Sequence, residues 1–291
     1  MESLTLNAYA KINLGLYLLR RRPDGYHDIL TVFQQIDLCD TLVFEKTRRS
    51  FSIESTGIPV PQDHRNLVFR AFDVFQKKAG FQNGLNVRIH KTIPVGAGLG
   101  GGSSDAATAL IAFNRLCRKG LSDEDLSAMA VSVGSDVPFF IRGGSALGEG
   151  RGEILTPLPW KDGYWIVLIC PNVQVSTAWA YSQMKIGLTK AEKITNLRAI
   201  LGDCTPLFFK DHLINEFEGV VFEMHPKLKE IKQNLVQQDA FFASMSGSGS
   251  AVYGLFIDRE HAERTLSFFS RKEGMSAFLL KPIFWKSTGK T

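Results

Sequence analysis

Pro94-Val95-Gly96-Ala97-Gly98-Leu99-Gly100-Gly101-Gly102-Ser103-Ser104-Asp105-Ala106 is the stretch on which the reading of this sequence turns. Glycines lack a Cβ, so successive backbone N–H groups can converge on one anion. The segment leads straight into an apolar helical pattern, Ala106, Ala107, Ala109, Leu110 and Ala112. Free N–H groups and the dipole at such a helix start also favour phosphate. Ser103 and Ser104 add hydroxyls there. A flexible linker would not run into that helix, so the segment reads as a phosphate cradle. Gly101 is expected to need backbone angles closed to a branched side chain.

Several phosphate loops are rich in glycine. Gly96, Gly98 and Gly101 satisfy G-x-G-x-x-G, which brings a nicotinamide-binding oxidoreductase into consideration. That fold needs a buried strand running directly into the first glycine and an acid ending the next strand. Here Lys91-Thr92-Ile93-Pro94 interrupts the approach, and the later acids, Asp123 to Asp125, fall at a helix start. No lysine follows the glycines as in a P-loop, and no protein-kinase triplet accompanies them.

Working outward, strands are expected at Leu4–Ala10, Leu14–Leu19, Leu30–Asp37, Thr41–Glu45 and Phe51–Glu54. Asn66 opens a helix whose apolar residues recur at helical spacing, and Leu85, Val87 and Ile89 alternate as in a half-buried strand. The glycine segment leads into a helix from about Ser103 to Leu116, and Ser122 with Asp125 forms a capping-box pattern. A turn and strand follow at Gly143 to Gly150, then a strand at Trp165 to Ile169. Pro157 and Pro159 mark the expected boundary between domains 1–157 and 158–291. The second part reads as helix-rich to Phe241, then as strand, loop, strand, helix and strand to Phe284. The fold class is α+β in two domains.

Composition narrows the function classes. Hydrophobic residues make up 44% and charged residues 22% of 291, the balance of a globular chain with a sizeable core. Phe is frequent, at 21 residues, which points to bulky core packing. Neither a secretory leader nor a membrane span is expected, and Cys39, Cys117, Cys170 and Cys204 lack the spacing of a zinc site or disulfide framework. A cytoplasmic address follows as the expectation. The net charge of +5 favours anionic partners. The basic clusters, Arg20-Arg21-Arg22 and Lys46 with Arg48-Arg49, lack interleaved aromatics, so a phosphorylated small molecule accounts for the charge without nucleic acid or membrane.

Three motifs together resemble the GHMP kinase family of small-molecule kinases. They are Ala10-Lys11-Ile12-Asn13-Leu14, the glycine segment from Pro94, and Ser246-Gly247-Ser248-Gly249-Ser250-Ala251, in the family's order and bracketing nearly the whole chain. Two further segments resemble one branch of that family. They are Arg22-Pro23-Asp24-Gly25-Tyr26-His27-Asp28 and Gly134-Ser135-Asp136-Val137-Pro138-Phe139-Phe140, the latter followed by Gly148 to Glu153. That branch phosphorylates the 2-hydroxyl of a cytidine-diphosphate-linked methylerythritol on the non-mevalonate route to isoprenoid precursors. The resemblance implies an N-terminal domain like ribosomal protein S5 domain 2, a ferredoxin-like C-terminal domain, and a substrate site between them.

The resemblance also implies roles. Asp136 would be the base that takes the hydroxyl proton, with Lys11 beside it holding the carboxylate ionised. Read alone, Asp136 is a helix cap or turn residue, and Lys11 a lysine snorkelling at a strand edge. Tyr26 and His27 would recognise cytosine from a Pro-Asp-Gly turn, Tyr181 would be a second ring on the base or a helix-core residue, and Asn13 would meet the sugar alcohol. ATP would lie on Pro94, Val95, Gly96, Ala97, Gly98, Leu99, Gly100, Gly101, Gly102, Ser103 and Ser104. Asn66 and Lys91 would meet adenine, although Asn66 is equally a helix N-cap. Gly247 and Gly249 would lie against substrate phosphates or the ATP loop, or form a plain hairpin turn. Mg²⁺ is expected, with no carboxylate pair identifying its ligands. Another GHMP-type alcohol kinase (mevalonate or homoserine kinase-like), the oxidoreductase and a nucleic-acid-binding module remain the alternatives. A monomer and a homodimer are both compatible with the sequence.

Overall fold

The computed structural model describes residues 2–47, 50–81, 84–160, 163–184 and 206–284. They form two compact units that interleave along the chain. One comprises Met1–Ala10, Leu38–Val95 and Gly100–Gly143, and the other Lys11–Asp37, Gly96–Leu99 and Gly144–Thr291. The units therefore differ from the consecutive division at 157/158. The reason is two long strands, β1 (Ser3–Arg21) and β2 (His27–Thr47), each of which belongs partly to either unit. The sequence reading broke both strands in two, because Lys11, Asn13 and Asp40 interrupt the apolar pattern. These three polar residues are in fact buried inside continuous strands.

In the first unit, the later half of β2 pairs antiparallel with β4 (Gly84–Lys91) from Thr41↔His90 to Thr47↔Gly84. β3 (Ser52–Gly57) runs parallel to β4. Four helices complete the unit: α1 (Leu67–Ala79), α2 (Gly101–Cys117), α3 (Asp123–Val133) and α4 (Val137–Arg142). Ser122 and Asp125 form the expected capping box at α3, satisfying two orphan N–H groups reciprocally. The six-residue α4 escaped sequence reading, being too short to show a helical period. Aromatic side chains dominate the core. Phe51 stacks on Phe72 at 4.1 Å, and Phe113 meets Phe44, Phe51 and Phe72 edge-on. Edge-on geometry sets the positive ring rim against a negative face, which accounts for some of the phenylalanine richness.

In the second unit, Thr31–Gln34 of β2 pairs with β5 (Ser145–Glu149), and β5 with β6 (Ile154–Pro157), so Pro157 closes a strand. A separate antiparallel sheet contains β7 (Trp165–Pro171), β8 (Phe242–Met245), β9 (Val252–Phe256) and β10 (Met275–Leu280), ordered β10-β7-β9-β8. Helices α5 (Thr177–Gln183), α6 (Pro206–His212), α7 (Phe217–Met224) and α8 (Pro226–Gln237) lie between β7 and β8, and α9 (Arg259–Ser270) between β9 and β10. In chain order the strands sit fourth, first, third, second, which is the split βαβ arrangement of a ferredoxin-like domain. Strand β11 (Pro282–Ile283) pairs back onto Gln35 and Ile36 of β2. Parts of the helix-rich expectation (185–205) and the basic pair Arg48-Arg49 lie outside the described residues. Among the described residues, no helix is long and apolar enough to cross a membrane.

Candidate active site

Lys11 sits in β1 at 4% exposure, so snorkelling at a strand edge does not describe it. Its ammonium donates to Asn13 Oδ1 at 2.6 Å and to the Gly98 carbonyl at 2.9 Å. Asn13 Nδ2 donates to Thr31 Oγ1 at 2.7 Å, and Thr31 in turn donates to the Gly15 carbonyl. The buried Tyr253 hydroxyl donates to the Asn13 carbonyl at 2.8 Å. Burial pushes that phenol well above its ordinary value, so it stays a neutral donor. A buried ammonium is tolerable only when its donors are satisfied, and this chain of bonds fixes where Lys11 points.

The two glycine motifs meet at this lysine. Ser246 Oγ donates to the same Gly98 carbonyl at 2.9 Å and accepts from the Asn13 N–H at 3.2 Å. Gly98 has φ +79, and a Cβ there would lie 2.1 Å from the Ser246 carbonyl oxygen. Only glycine allows this approach. Gly247 lies against Asn13 and Gly98, its would-be Cβ falling 3.3 Å from Asn13 Oδ1. Gly249 lies against Met245 and Val175, while its carbonyl approaches Gly98. The C-terminal motif is thus a turn between β8 and β9 that forms a wall against the Gly98 segment.

Asn215 holds that wall. Its amide donates to the carbonyls of Met245 at 2.7 Å and Gly247 at 2.8 Å, while its oxygen accepts from the Phe217 N–H. Glu218 accepts from the Met245 N–H and Ser244 Oγ, and Glu216 from the Leu18 N–H. Sequence reading missed the Asn215–Glu218 run, and also Thr31 and Tyr253. The signal available was a pair of acids beside an asparagine at a helix start, which resembles ordinary capping.

In the first unit, Gly100 precedes α2 in a left-handed conformation, and no side chain caps the helix. Its first turn therefore offers backbone N–H groups, as an anion site needs. Gly102 is exposed and Ser103 half-buried, while Ser104 Oγ donates to the Tyr9 carbonyl. Gly101 is helical and lacks a positive φ, which corrects the expectation about its backbone angles. Crowding explains this glycine: a Cβ would lie 2.9 Å from Ile93 Cγ2 and 3.1 Å from Lys91 Nζ. β4 ends at Lys91, so no strand runs into Gly96, and the dinucleotide geometry is absent. Lys91 is buried and donates to Asp40 at 2.5 Å and Asp105 at 2.6 Å. Asn66 caps α1, accepting from the Val68 N–H and donating to the Pro61 carbonyl. Asp136 occupies the N-cap position of α4 without making a side-chain capping bond.

The Tyr26–His27 loop belongs to the second unit. It is a turn, with the Asp24 carboxylate accepting from the Tyr26 N–H and Gly25 at φ +84. Asp28 clamps its base, paired with Arg20 at 2.5 Å and Arg22 at 2.9 Å, and these hydrogen bonds hold its carboxyl below the usual range. Tyr26 is 55% exposed with the Arg151 guanidinium 4.9 Å from its ring centre. The His27 ring lies 5.1 Å from that of Tyr181, which packs edge-on against Phe217. Tyr181 is thus packed in the helix layer and at the same time faces the loop. Desolvation lowers the His27 pKa, with Arg21 adding to the shift, so the imidazole is neutral near pH 7 and able to donate and accept.

Comparison with known proteins agrees with this assembly. Sequence profiles of the GHMP kinases N terminal domain and the GHMP kinases C terminal match residues 66–144 and 192–274. The 4-diphosphocytidyl-2-C-methyl-D-erythritol kinase of Geobacter metallireducens is 44% identical over 269 residues, 90% of this chain and 92% of that protein. Its counterpart from Moorella thermoacetica is 42% identical over 92% of this chain and 95% of its own length. A crystal structure of 4-(cytidine 5'-diphospho)-2C-methyl-D-erythritol kinase superposes with a TM-score of 0.76 at 34% identity, covering 96% of this chain and 99% of that one. The mevalonate kinase of Methanococcus jannaschii shares the fold alone, with a TM-score of 0.75 at 13% identity over 97% of this chain and 99% of its own. With both family domains matched and the two-domain α+β fold shared, the chain belongs to the GHMP kinase family.

Proposed function

We propose that this chain transfers the γ-phosphate of ATP to the 2-hydroxyl of 4-diphosphocytidyl-2-C-methyl-D-erythritol, in the isoprenoid precursor route that bypasses mevalonate. The observation that carries the choice within the family is the ring cluster of Tyr26, His27 and Tyr181. It sets an exposed aromatic face beside a neutral imidazole, which suits stacking on a pyrimidine and bonding to its edge. The relatives that span nearly the whole chain bear the same substrate in their names.

ATP supplies the phosphoryl group, and the uncapped start of α2 with the Pro94–Ser104 segment receives its phosphates. Asp136 takes the proton of the 2-hydroxyl as the oxygen attacks phosphorus, and ADP leaves. Lys11, oriented by Asn13 and Gly98, offsets the negative charge that develops on the attacking oxygen. Asn13 meets the sugar alcohol, and Asn66 flanks the adenine. Mg²⁺ is expected to accompany the nucleotide, its ligands left unassigned. A cytoplasmic address, freedom from nucleic acid, and family domains divided near 157/158 complete the reading.

A kinase assay over a panel of alcohols tests it: the cytidyl diphosphate of methylerythritol, mevalonate, homoserine and galactose. ADP release with the first alone is the expected result. Turnover with mevalonate or homoserine in its place would move the chain to another branch of the family.

A further inference from the structure

The geometry points to Asp40, Lys91 and Asp105 as a buried clamp that positions the nucleotide loop, with Lys91 serving ATP from within the fold instead of touching it. This rests on the reading of Pro94–Ser104 as the phosphate cradle. The three side chains are 0%, 2% and 4% exposed. Asp40 Oδ1 accepts from the N–H groups of Thr92 at 2.6 Å and Ile93 at 2.8 Å, the two residues that lead into the loop. Asp40 Oδ2 accepts from Lys91 Nζ, which donates again to Asp105 Oδ2 within the second turn of α2. One ammonium thus ties the entrance of the glycine segment to the helix that receives the phosphates. Gly101 lacks a side chain at the point of closest approach to that ammonium. A lysine reaching for adenine would have to break two charge-assisted bonds in a closed space.

The charges add an operating condition. One cation faces two carboxylates, and burying the surplus anion is costly, so a proton is retained. Asp105 carries it. Burial pushes its carboxyl up to about 7, Lys91 opposes the rise and Asp40 adds to it. Asp105 Oδ1 has no hydrogen-bond partner. The charged groups facing Asp105 are Lys91 from β4 and Asp40 from β2. The residues buried by the helices packed on α2 are apolar: Val68, Phe72 and Phe75 of α1, Leu126 and Met129 of α3, and Phe139 of α4. The protonated clamp is neutral. Its contribution to stability is full below the ordinary carboxyl value of 3.8 and is lost as pH rises through about 7, where an uncompensated negative charge appears beneath the phosphate site.

The test uses the full chain, with ATP and Mg²⁺ as the probe in calorimetry alongside steady-state kinetics. Lys91→Met should raise the KM for ATP roughly tenfold or more, with kcat at saturating ATP little changed. Lys91→Met/Asp105→Leu should recover part of that loss, because only one buried acid, Asp40, is then left without the ammonium instead of two. A double variant no better than the single one would mean that Lys91 touches the nucleotide, and would overturn the clamp. The second arm stands even if Lys91→Met does not fold. ATP affinity of the parent should fall roughly three- to tenfold between about pH 6 and about pH 8.5 relative to Asp105→Asn. ATP's own titration is common to both proteins and cancels. Parallel pH profiles would equally overturn the proposal. A parent that binds ATP with these profiles yet phosphorylates no cytidyl alcohol would strike the substrate reading and leave the clamp standing.

Discussion

Lys11 and Lys91 are both strand lysines singled out by the sequence, and both are buried, at 4% and 3% exposure. What they are bonded to separates them. Lys91 is gripped by two carboxylates of its own unit, which neutralise it in place. Lys11 donates to a side-chain amide oxygen and to a carbonyl of the glycine segment, which anchors it to that segment. A buried cation paired with fixed carboxylates holds structure, whereas one anchored on the glycine segment is placed where the proposed reaction develops negative charge. Residue type and burial are the same; the surroundings differ.

The largest expected effect breaks this comparison most directly. Asp136→Asn keeps size and most hydrogen bonding but cannot take the proton from the attacking hydroxyl. Its kcat should fall on the order of 10²–10⁴ with ATP affinity little changed. On the proposed mechanism Lys11→Ala should also lower kcat, and the double variant should fall short of the product of the two losses, as expected of a base and the cation that serves it. Turnover and ATP binding at matched thermal stability decide it. Near-parental turnover in Asp136→Asn would remove the base. A Lys11→Ala variant that raised only the ATP KM would place Lys11 in the same class as Lys91.

A glycine beside each lysine sharpens the comparison. Alanine at Gly98 would meet a backbone oxygen at 2.1 Å in a left-handed conformation, so neither the side chain nor the backbone can give way cheaply. Gly98→Ala should cost about 2–5 kcal/mol in urea unfolding and most of the activity. Alanine at Gly101 meets the Ile93 side chain at 2.9 Å with ordinary helical angles, and should cost about 1–3 kcal/mol. Equal losses at both positions would mean that the loop adapts and that the Ser246 contact is incidental.

The sequence made the fold readable wherever period or turn chemistry was strong. The capping box at Ser122, the alternation through Ile89 and the apolar run at Trp165 each mark an element found in the structure. It misled where buried polar residues mimic breaks. Lys11 and Asn13 in β1, and Asp40 in β2, interrupt the apolar pattern although they are buried within continuous strands, so each strand looks like two. At the site, glycine motifs and the Tyr26–His27 turn were legible because their residue types are unusual in clusters. Thr31, Asn215, Tyr253 and Asp40 were not, since a lone polar residue announces nothing until its partners, far along the chain, are known.

Away from both lysines, the Tyr26–His27 loop should answer in KM alone. Tyr26→Ala and His27→Ala should each weaken binding of the cytidyl substrate by roughly 1–3 kcal/mol, the worth of one stacking or edge partner. Neither should change the ATP KM. An unchanged substrate KM in both variants would dismiss the ring cluster as the cytosine site.

Arg151 should give the smallest effect, and the route by which it acts is what matters. Its guanidinium lies 4.9 Å from the centre of the Tyr26 ring, on a side chain 29% exposed, and the Arg151 N–H donates to Glu153 at 2.5 Å. The Gly150 carbonyl accepts from the Ile29 N–H at 2.7 Å, so this loop is tied to the strand that follows Tyr26 and His27. Arg151 therefore reaches Tyr26 from an anchored backbone and can hold the ring at one tilt. A partly exposed cation–π contact contributes about 0.5–1 kcal/mol, so Arg151→Ala should raise the cytidyl-substrate KM about two- to fivefold with kcat unchanged. Lysine retains the charge but loses the planar stack, and Arg151→Lys should fall between. If Arg151 acts by holding the ring, Arg151→Ala should add nothing in a Tyr26→Ala background. If it binds the substrate's diphosphate directly, the two losses should instead multiply, and the double variant's KM would show it.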